Sequence, residues 1–300
     1  MSEGNGSTAA SRTALPENAA AEAAVNGEDA ADGAALYERD GDRIVPTDRA
    51  RGPWRRDALH GAAVAALLAS AVDLPGWTPA RITFDLLAPV RAVPMTLAVT
   101  RPEGGRRVVR QEVTLLEGDD PVARARVLAV RRADLDLPEG ATEHEDPFAG
   151  AAVPDLSRPT KGVVEAVGWE CFDSSAVSVR SLRSADLGPH AVGLWTRLLV
   201  PVVAGEPTPP IARAAAAADY ASTATHMRLP FERWSFMNAE LTLHLTREPA
   251  GPWVGLVCES VVQPVGAGFS ASTLFDSAGR LGRSAQALVV EERRLAPPGR

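Results

Sequence analysis

The chain of 300 residues has only two cysteines, Cys171 and Cys258. They are too few for a disulfide scaffold and are not spaced as zinc ligands. The small secreted disulfide-rich classes are therefore excluded, and a reducing cytoplasm is the expected location. Lys161 is the sole lysine and the formal net charge is −7, so nothing suggests the basic face of a nucleic-acid-binding protein. Long apolar runs are also missing. The run Gly61 to Val72 is 12 residues, whereas a membrane-spanning helix needs about 20, and no basic segment leads into a hydrophobic one as in a signal peptide. No Gly-x-Ser-x-Gly elbow is present, which argues against a serine hydrolase. No close His/Asp/Glu cluster supports a metal site, and no cofactor is called for. What is there, 45% apolar and 23% charged residues, is the balance of a globular protein.

Charge is unevenly placed. Residues 1–33 hold six acids (Glu3, Glu17, Glu22, Glu28, Asp29, Asp32) against one base, Arg12. This Ala-, Gly- and Ser-rich tail has no aromatic residue and no sustained apolar face. It cannot offset the entropy of ordering, and disorder is expected. Ala34–Arg49 then reads as a strand pair about Asp40-Gly41-Asp42. A helix follows from about Ala58 to Val72, apolar nearly all round and so expected to be buried, and ended by Pro75-Gly76. Strands are expected at Arg81–Leu87, Met95–Arg101, Arg106–Leu116 and Val122–Arg131, with Glu103-Gly104-Gly105 a hairpin turn rather than a phosphate loop. The last strand sets Arg124 and Arg126 against Ala123, Ala125 and Val127, one wet face and one dry. Residues 133–162, rich in Pro, Gly and acids, read as a linker.

The second half repeats the plan. Strands are expected at Val163–Phe172, Ser175–Arg183 and Gly193–Val200. Pro209-Pro210 opens an alanine-rich helix, Ile211 to Tyr220, and strands follow at Ser235–Thr246, Trp253–Gln263, Ala267–Asp276 and Arg283–Glu291. Pro89 and Pro249 end strands, and Ala125, Leu128 and Val130 match Ala285, Leu288 and Val290, a shift of about 160, while Ile211 falls near His60 at about 150. At these shifts Gln286 corresponds to Arg126 and Asp219 to Leu68-Ala69. An internal duplication with one insertion accounts for this. Each half is then a buried helix on the apolar face of an antiparallel meander, which is the hotdog arrangement. The expected class is α+β, a double hotdog with halves at 34–132 and 163–292, a short tail at 293–300, and the two sheets joined edge to edge. The competing reading is an unrelated pair of α+β domains in accidental register.

Several segments carry a family likeness. They are Gly52-Pro53-Trp54 leading to His60-Gly61, Leu194-Trp195-Thr196-Arg197 ending at Pro201, Ala212-Arg213 leading to Ala218-Asp219, Arg233-Trp234-Ser235-Phe236-Met237-Asn238-Ala239-Glu240-Leu241-Thr242-Leu243-His244-Leu245, Trp253-Val254-Gly255-Leu256, and Gly282-Arg283-Ser284-Ala285-Gln286. In order and spacing, over roughly 36–292, the chain resembles acyl-CoA thioesterases of the double-hotdog type. The resemblance implies that Asp219, Asn238 and Gln286 orient a water, that acyl-CoA is the substrate, and that chains assemble into a homo-oligomer. The chain departs from many relatives in having His60-Gly61-Ala62 where they have a second glycine, and Tyr220-Ala221-Ser222-Thr223-Ala224 after the aspartate.

Thioester hydrolysis needs a deprotonated water, stabilisation of the carbonyl oxygen, and an apolar slot. Asp219, set behind five alanines on a buried helix, suits a general base with a raised pKa, or a direct nucleophile; the alternative is a solvated acid at the helix edge. Asn238 and Gln286 can each hold water and carboxylate together, or be an ordinary strand-start residue and a wet-face residue. His60, Gly61 and Ala62 begin the first helix, where free N–H groups favour an oxyanion; otherwise Gly61 is only a tight turn and His60 a surface side chain. The resemblance implies that the oxyanion donor and the acid come from opposite halves, and because the first helix has Leu68-Ala69 where the second has Asp219, one working site per chain is expected. Arg124, Arg126 and Arg131 either meet coenzyme A phosphates or form a solvated strand face. Two rival functions remain: a non-catalytic acyl-thioester-binding hotdog, and a hotdog hydratase or dehydratase, which wants an Asp/His pair near one helix where only His60 is near the first helix, with no acid beside it.

Overall fold

In the computed structural model the described residues are 34–141, 168–182, 191–226, 228–230 and 233–293. The expected tail 1–33, the linker from 142, the first part of the strand expected at Val163–Phe172 and the residues from 294 lie outside them. The first half runs β1 (Tyr37–Asp40), β2 (Arg43–Pro46), α1 (Gly61–Ser70), β3 (Trp77–Leu86), β4 (Met95–Val99), β5 (Glu103–Gly104), β6 (Val108–Glu117) and β7 (Asp120–Arg131). The second runs α2 (Phe172–Ser175), β8 (Val177–Leu182), β9 (Val192–Leu198), α3 (Pro210–Asp219), α4 (Thr223–His226), β10 (Trp234–Asn238), β11 (Glu240–Leu245), β12 (Val254–Gln263), β13 (Ala267–Asp276) and β14 (Gly279–Glu292). No helix among the described residues is long and apolar enough to cross a membrane.

All strand pairs are antiparallel, and the main path is β1-β2-β4-β6-β7-β3-β11-β14-β13-β12-β9-β8. The two meanders meet where β3 pairs with β11, Thr83 opposite Thr242, the two hydroxyls 3.1 Å apart. This is the double hotdog expected from the duplicated pattern. Every residue of α1 from Ala62 to Ala69 is buried, as are Ala212 and Ala214 to Ala218 of α3. The two alanine-rich helices pack on one another, since small side chains let their axes approach closely.

Three expectations need correction. Cys171 is no strand residue but the N-cap of α2, where Ser174 Oγ accepts Cys171 N–H at 2.9 Å; such local side-chain bonds compete with a ladder. The strand expected at Ser235–Thr246 is broken. Asn238 faces Leu288 while Thr242 faces Ala285, so four steps on one strand meet three on the other, a bulge at Ala239. The duplication shift is 159, not 160: Thr83 and Thr242 are separated by that number, and their partners Arg126 and Ala285 repeat it. One residue of register exchanges the faces of a strand. Gln286 therefore corresponds to buried Val127, and exposed Arg126 to Ala285.

In the second sheet Gly255 lies between Trp195 on β9 and Phe275 on β13. Those rings pack edge to face with centroids 4.9 Å apart, and a Cβ at 255 would run into the Phe275 ring. Gly255→Ala is expected to cost about 1–3 kcal/mol of stability through overpacking, measured as a lower urea midpoint with unchanged slope.

Candidate active site

The site forms where α3 ends and α1 begins. Asp219 is the last residue of α3 and is only 6% exposed. Its carboxylate lies against the first turn of α1, and the closeness depends on Gly61: a Cβ there would sit 2.6 Å from Asp219 Oδ1. The carboxylate thus faces the positive end of α1 across the junction between the halves. This joins Gly61 of the first half to Asp219 of the second, as the sequence led one to expect.

Asn238 and Gln286 reach the same carboxylate residue from the sheet. Asn238 Nδ2 donates a 2.5 Å hydrogen bond to Asp219 Oδ1. It is the last residue before the bulge at Ala239, a device that re-aims a side chain. Gln286, on the inner face of β14 and 1% exposed, donates from Nε2 to the Asp219 backbone oxygen at 3.3 Å. Its Oε1 is buried with no hydrogen-bond partner among the described residues. Asp219 and Gln286 are therefore buried groups, not the solvated alternatives.

His60 is the N-cap of α1, and its Nδ1 accepts Ala62 N–H at 3.0 Å. Ala62 N–H is thus already engaged, by His60 Nδ1 and by the Asp219 carboxylate, while Gly61 N–H stands at the first helical position, which the intrahelical ladder does not serve. His60 is no surface residue either, its side chain being 13% exposed. The ring stacks on Phe172, centroids 4.8 Å apart, and packs beside Tyr220 at 6.0 Å, the three forming one cluster. Nδ1 is 3.3 Å from Asp219 Oδ2 and Nε2 is 3.4 Å from Asp173 Oδ2. The expectation that no acid accompanies His60 is overturned: two do, both distant in sequence.

Burial pushes the Asp219 carboxyl above its ordinary range and Asp173 adds to this, while His60, Asn238 and Ala62 N–H oppose it without cancelling it. For His60, burial works against the charged ring, but Asp173 and Asp219 outweigh it and hold its pKa above the usual value. For Asp173, burial is outweighed by His60, the Tyr220 hydroxyl and His226, so its pKa is lowered. The Tyr220 hydroxyl donates to Asp173 Oδ1 at 2.6 Å. Sequence reasoning missed Asp173 because it falls in the short gap between the strands expected at Val163–Phe172 and Ser175–Arg183; the run Asp173-Ser174-Ser175, typical of a helix start, was the available signal. His244 lies exposed between buried Leu243 and Leu245, as alternation implied.

Among the described residues one such site is built. The tenth residue of α1 is Ser70, where α3 has Asp219, and at the shift of 159 Asn238 and Gln286 correspond to Pro79 and Val127. The counterpart of Asp219 is thus Ser70 rather than Leu68-Ala69. Arg124 and Arg126 are paired with Glu112 and Asp85 on neighbouring strands, at 3.3 and 2.9 Å.

Two family models match: an acyl-CoA thioesterase N-terminal domain over residues 50–130 and an acyl-CoA thioesterase C-terminal domain over residues 138–290. The chain belongs to the acyl-CoA thioesterase family. It is a thioester hydrolase, and this decides against the two rival functions. No curated protein matches the thioesterase at the level of sequence. Solved structures share its fold. The acyl-CoA thioesterase II TesB2 from Mycobacterium marinum is 15% identical with a TM-score of 0.56, covering 86% of this chain and 96% of that one. A tesB protein from Mycobacterium avium subs paratuberculosis is 16% identical with a TM-score of 0.55, covering 85% and 95%. A conserved hot dog fold protein from Alicyclobacillus acidocaldarius is 16% identical with a TM-score of 0.57, covering 88% and 98%.

Because the Gly61 Cα position borders the Asp219 carboxylate, Gly61→Ala is expected to displace it. Thiol release from acyl-CoA should fall by about 100-fold or more, the scale of a lost general base, while the far-ultraviolet circular dichroism spectrum stays that of the wild type.

Proposed function

We propose that the thioesterase cleaves acyl-CoA by attack of a water held among Asp219, Asn238 and Gln286. The observation that carries this is a buried carboxylate beside a buried amide whose Oε1 has no hydrogen-bond partner among the described residues. Asn238 fixes Oδ1 and leaves Oδ2 to take the proton. The water oxygen bonds to the acyl carbon, the C–S bond breaks, and coenzyme A leaves as the thiol. Gly61 N–H and the end of α1 face the charge that builds on the carbonyl oxygen.

The acyl chain runs along the inner face from the site. Asn238, Phe236 and Trp234 alternate along β10, and Gln286, Leu288 and Val290 along β14. Both rows end at a cavity of about 470 Å³ lined by Leu229, Trp234, Val262 and Val290. The buried free thiols of Cys171 and Cys258 agree with a reducing cytoplasm, and assembly into homo-oligomers belongs to the same reading.

Asp219→Asn is expected to lower free-thiol release by about 100-fold or more, on the scale of a general base; full turnover by a folded variant overturns the assignment. The base must be ionised to accept a proton, so activity is lost as pH falls through its raised pKa. The acid limb of the wild-type profile should lie above the usual carboxylate range. Val290→Trp should fill the cavity: kcat/KM for long acyl-CoA esters falls while that for short ones is kept, read from the same thiol assay across chain lengths.

A further inference from the structure

His60 Nδ1 is shared. It accepts Ala62 N–H at 3.0 Å and lies 3.3 Å from Asp219 Oδ2. A ring nitrogen that accepts carries no proton, so the neutral ring holds its proton on Nε2. Nε2 faces Asp173 Oδ2 at 3.4 Å. The orientation of Asp173 is itself determined, since its other oxygen accepts the Tyr220 hydroxyl at 2.6 Å. The ring packs against Phe172 and Tyr220, which themselves touch, and these contacts restrict its swing.

We propose that Asp173 is a positioning residue of the hydrolysis: by holding His60 Nε2–H it keeps Nδ1 unprotonated toward Asp219, ready to receive the proton that the attacking water gives up. The proposal rests on the reading of Asp219 as the base. Water loses a proton to Asp219 Oδ2 as its oxygen bonds to the acyl carbon. The proton passes to Nδ1, giving an imidazolium between two carboxylates and an ionised Asp219. Nδ1 then no longer accepts, and Ala62 N–H is left to the re-ionised Asp219 carboxylate. When the C–S bond breaks, its electron pair leaves on sulfur, and the same proton returns by way of Asp219 to the coenzyme A thiolate.

The charged and titratable groups that bear on His60 act in one direction. Asp173 on α2 and Asp219 at the end of α3 both favour the imidazolium. Tyr220, whose hydroxyl burial and Asp173 keep protonated, is a donor only. His226 on α4 acts on Asp173 rather than on His60. Removing the Asp173 charge therefore lowers the pKa of His60, and also that of Asp219, which Asp173 raises. The acid limb of activity must move to lower pH.

The test compares wild type, Asp173→Asn, Asp173→Glu, Tyr220→Phe and Asp219→Asn in thiol release from one acyl-CoA ester across pH, with the His60 ring titrated by nuclear magnetic resonance. Asp173→Asn should lose about 10- to 100-fold in kcat, less than the loss of the base itself, with KM within about two-fold. Its acid limb and its His60 titration should both shift down. Asp173→Glu should restore part of kcat, and Tyr220→Phe should shift the limb the same way by less. A folded Asp173→Asn with full kcat and an unmoved limb overturns the proposal while an inactive Asp219→Asn leaves the base in place. Loss of kcat with no shift in limb or His60 titration also overturns it, leaving Asp173 a merely structural residue. If Asp173→Asn does not fold, an unshifted His60 titration in folded Tyr220→Phe overturns it equally. Turnover surviving in Asp219→Asn removes the base and this proposal together.

Discussion

A carboxylate held almost out of water at the meeting of two helix ends is the arrangement on which the rest depends. Asp219 closes α3 and borders the first residue of α1, and the contact exists because position 61 has no Cβ. The alanine-rich faces of both helices bring their axes close enough for it. A buried carboxylate is costly unless it is hydrogen-bonded and facing positive charge. Asn238, His60 and the N-terminal dipole of α1 meet that need, and they come from a strand, a cap and a helix of both halves. The site is therefore a product of the interface, and neither half holds it alone.

The same dependence explains the asymmetry of the duplicated chain. The sheets obey one shift and the helices another, so the fold is repeated while the chemistry is not. Ser70, Pro79 and Val127 stand where the second half places Asp219, Asn238 and Gln286. Ser70 spends its hydroxyl on the Leu67 carbonyl at 2.8 Å. Pro79 has no N–H and no polar atom in its side chain, and Val127 is simply core. A buried polar cluster is sustained only when each member is satisfied, and one complete cluster replaces two partial ones.

Much of this was legible along the chain. The all-round apolar character of α1, the proline-opened alanine helix, the alternating strands and the repeat between halves led to the double hotdog. The family likeness brought Asp219, Asn238 and Gln286 to attention, and all three converge. The errors share a cause. Side-chain likeness matches Ala125 with Ala285 at a shift of 160, but a slip of one residue satisfies it almost as well. Hydrogen bonds between β3 and β11 tolerate no such slip, and the slip would have turned Gln286 to the wet face. Likewise alternation through Ser235–Thr246 could not place the bulge at Ala239 that aims Asn238.

The sequence by itself determined the period of each element, which faces are apolar, and that two similar halves each bury one helix. These follow from local pattern and from the need to bury apolar surface. Tertiary structure alone decided that Asp173, 113 residues beyond His60 in the chain, lies against its Nε2, and that Ala62 N–H is taken by the cap rather than left free. Both depend on distances of about 3 Å between groups brought together by packing, and hydrophobic periodicity carries no information at that scale.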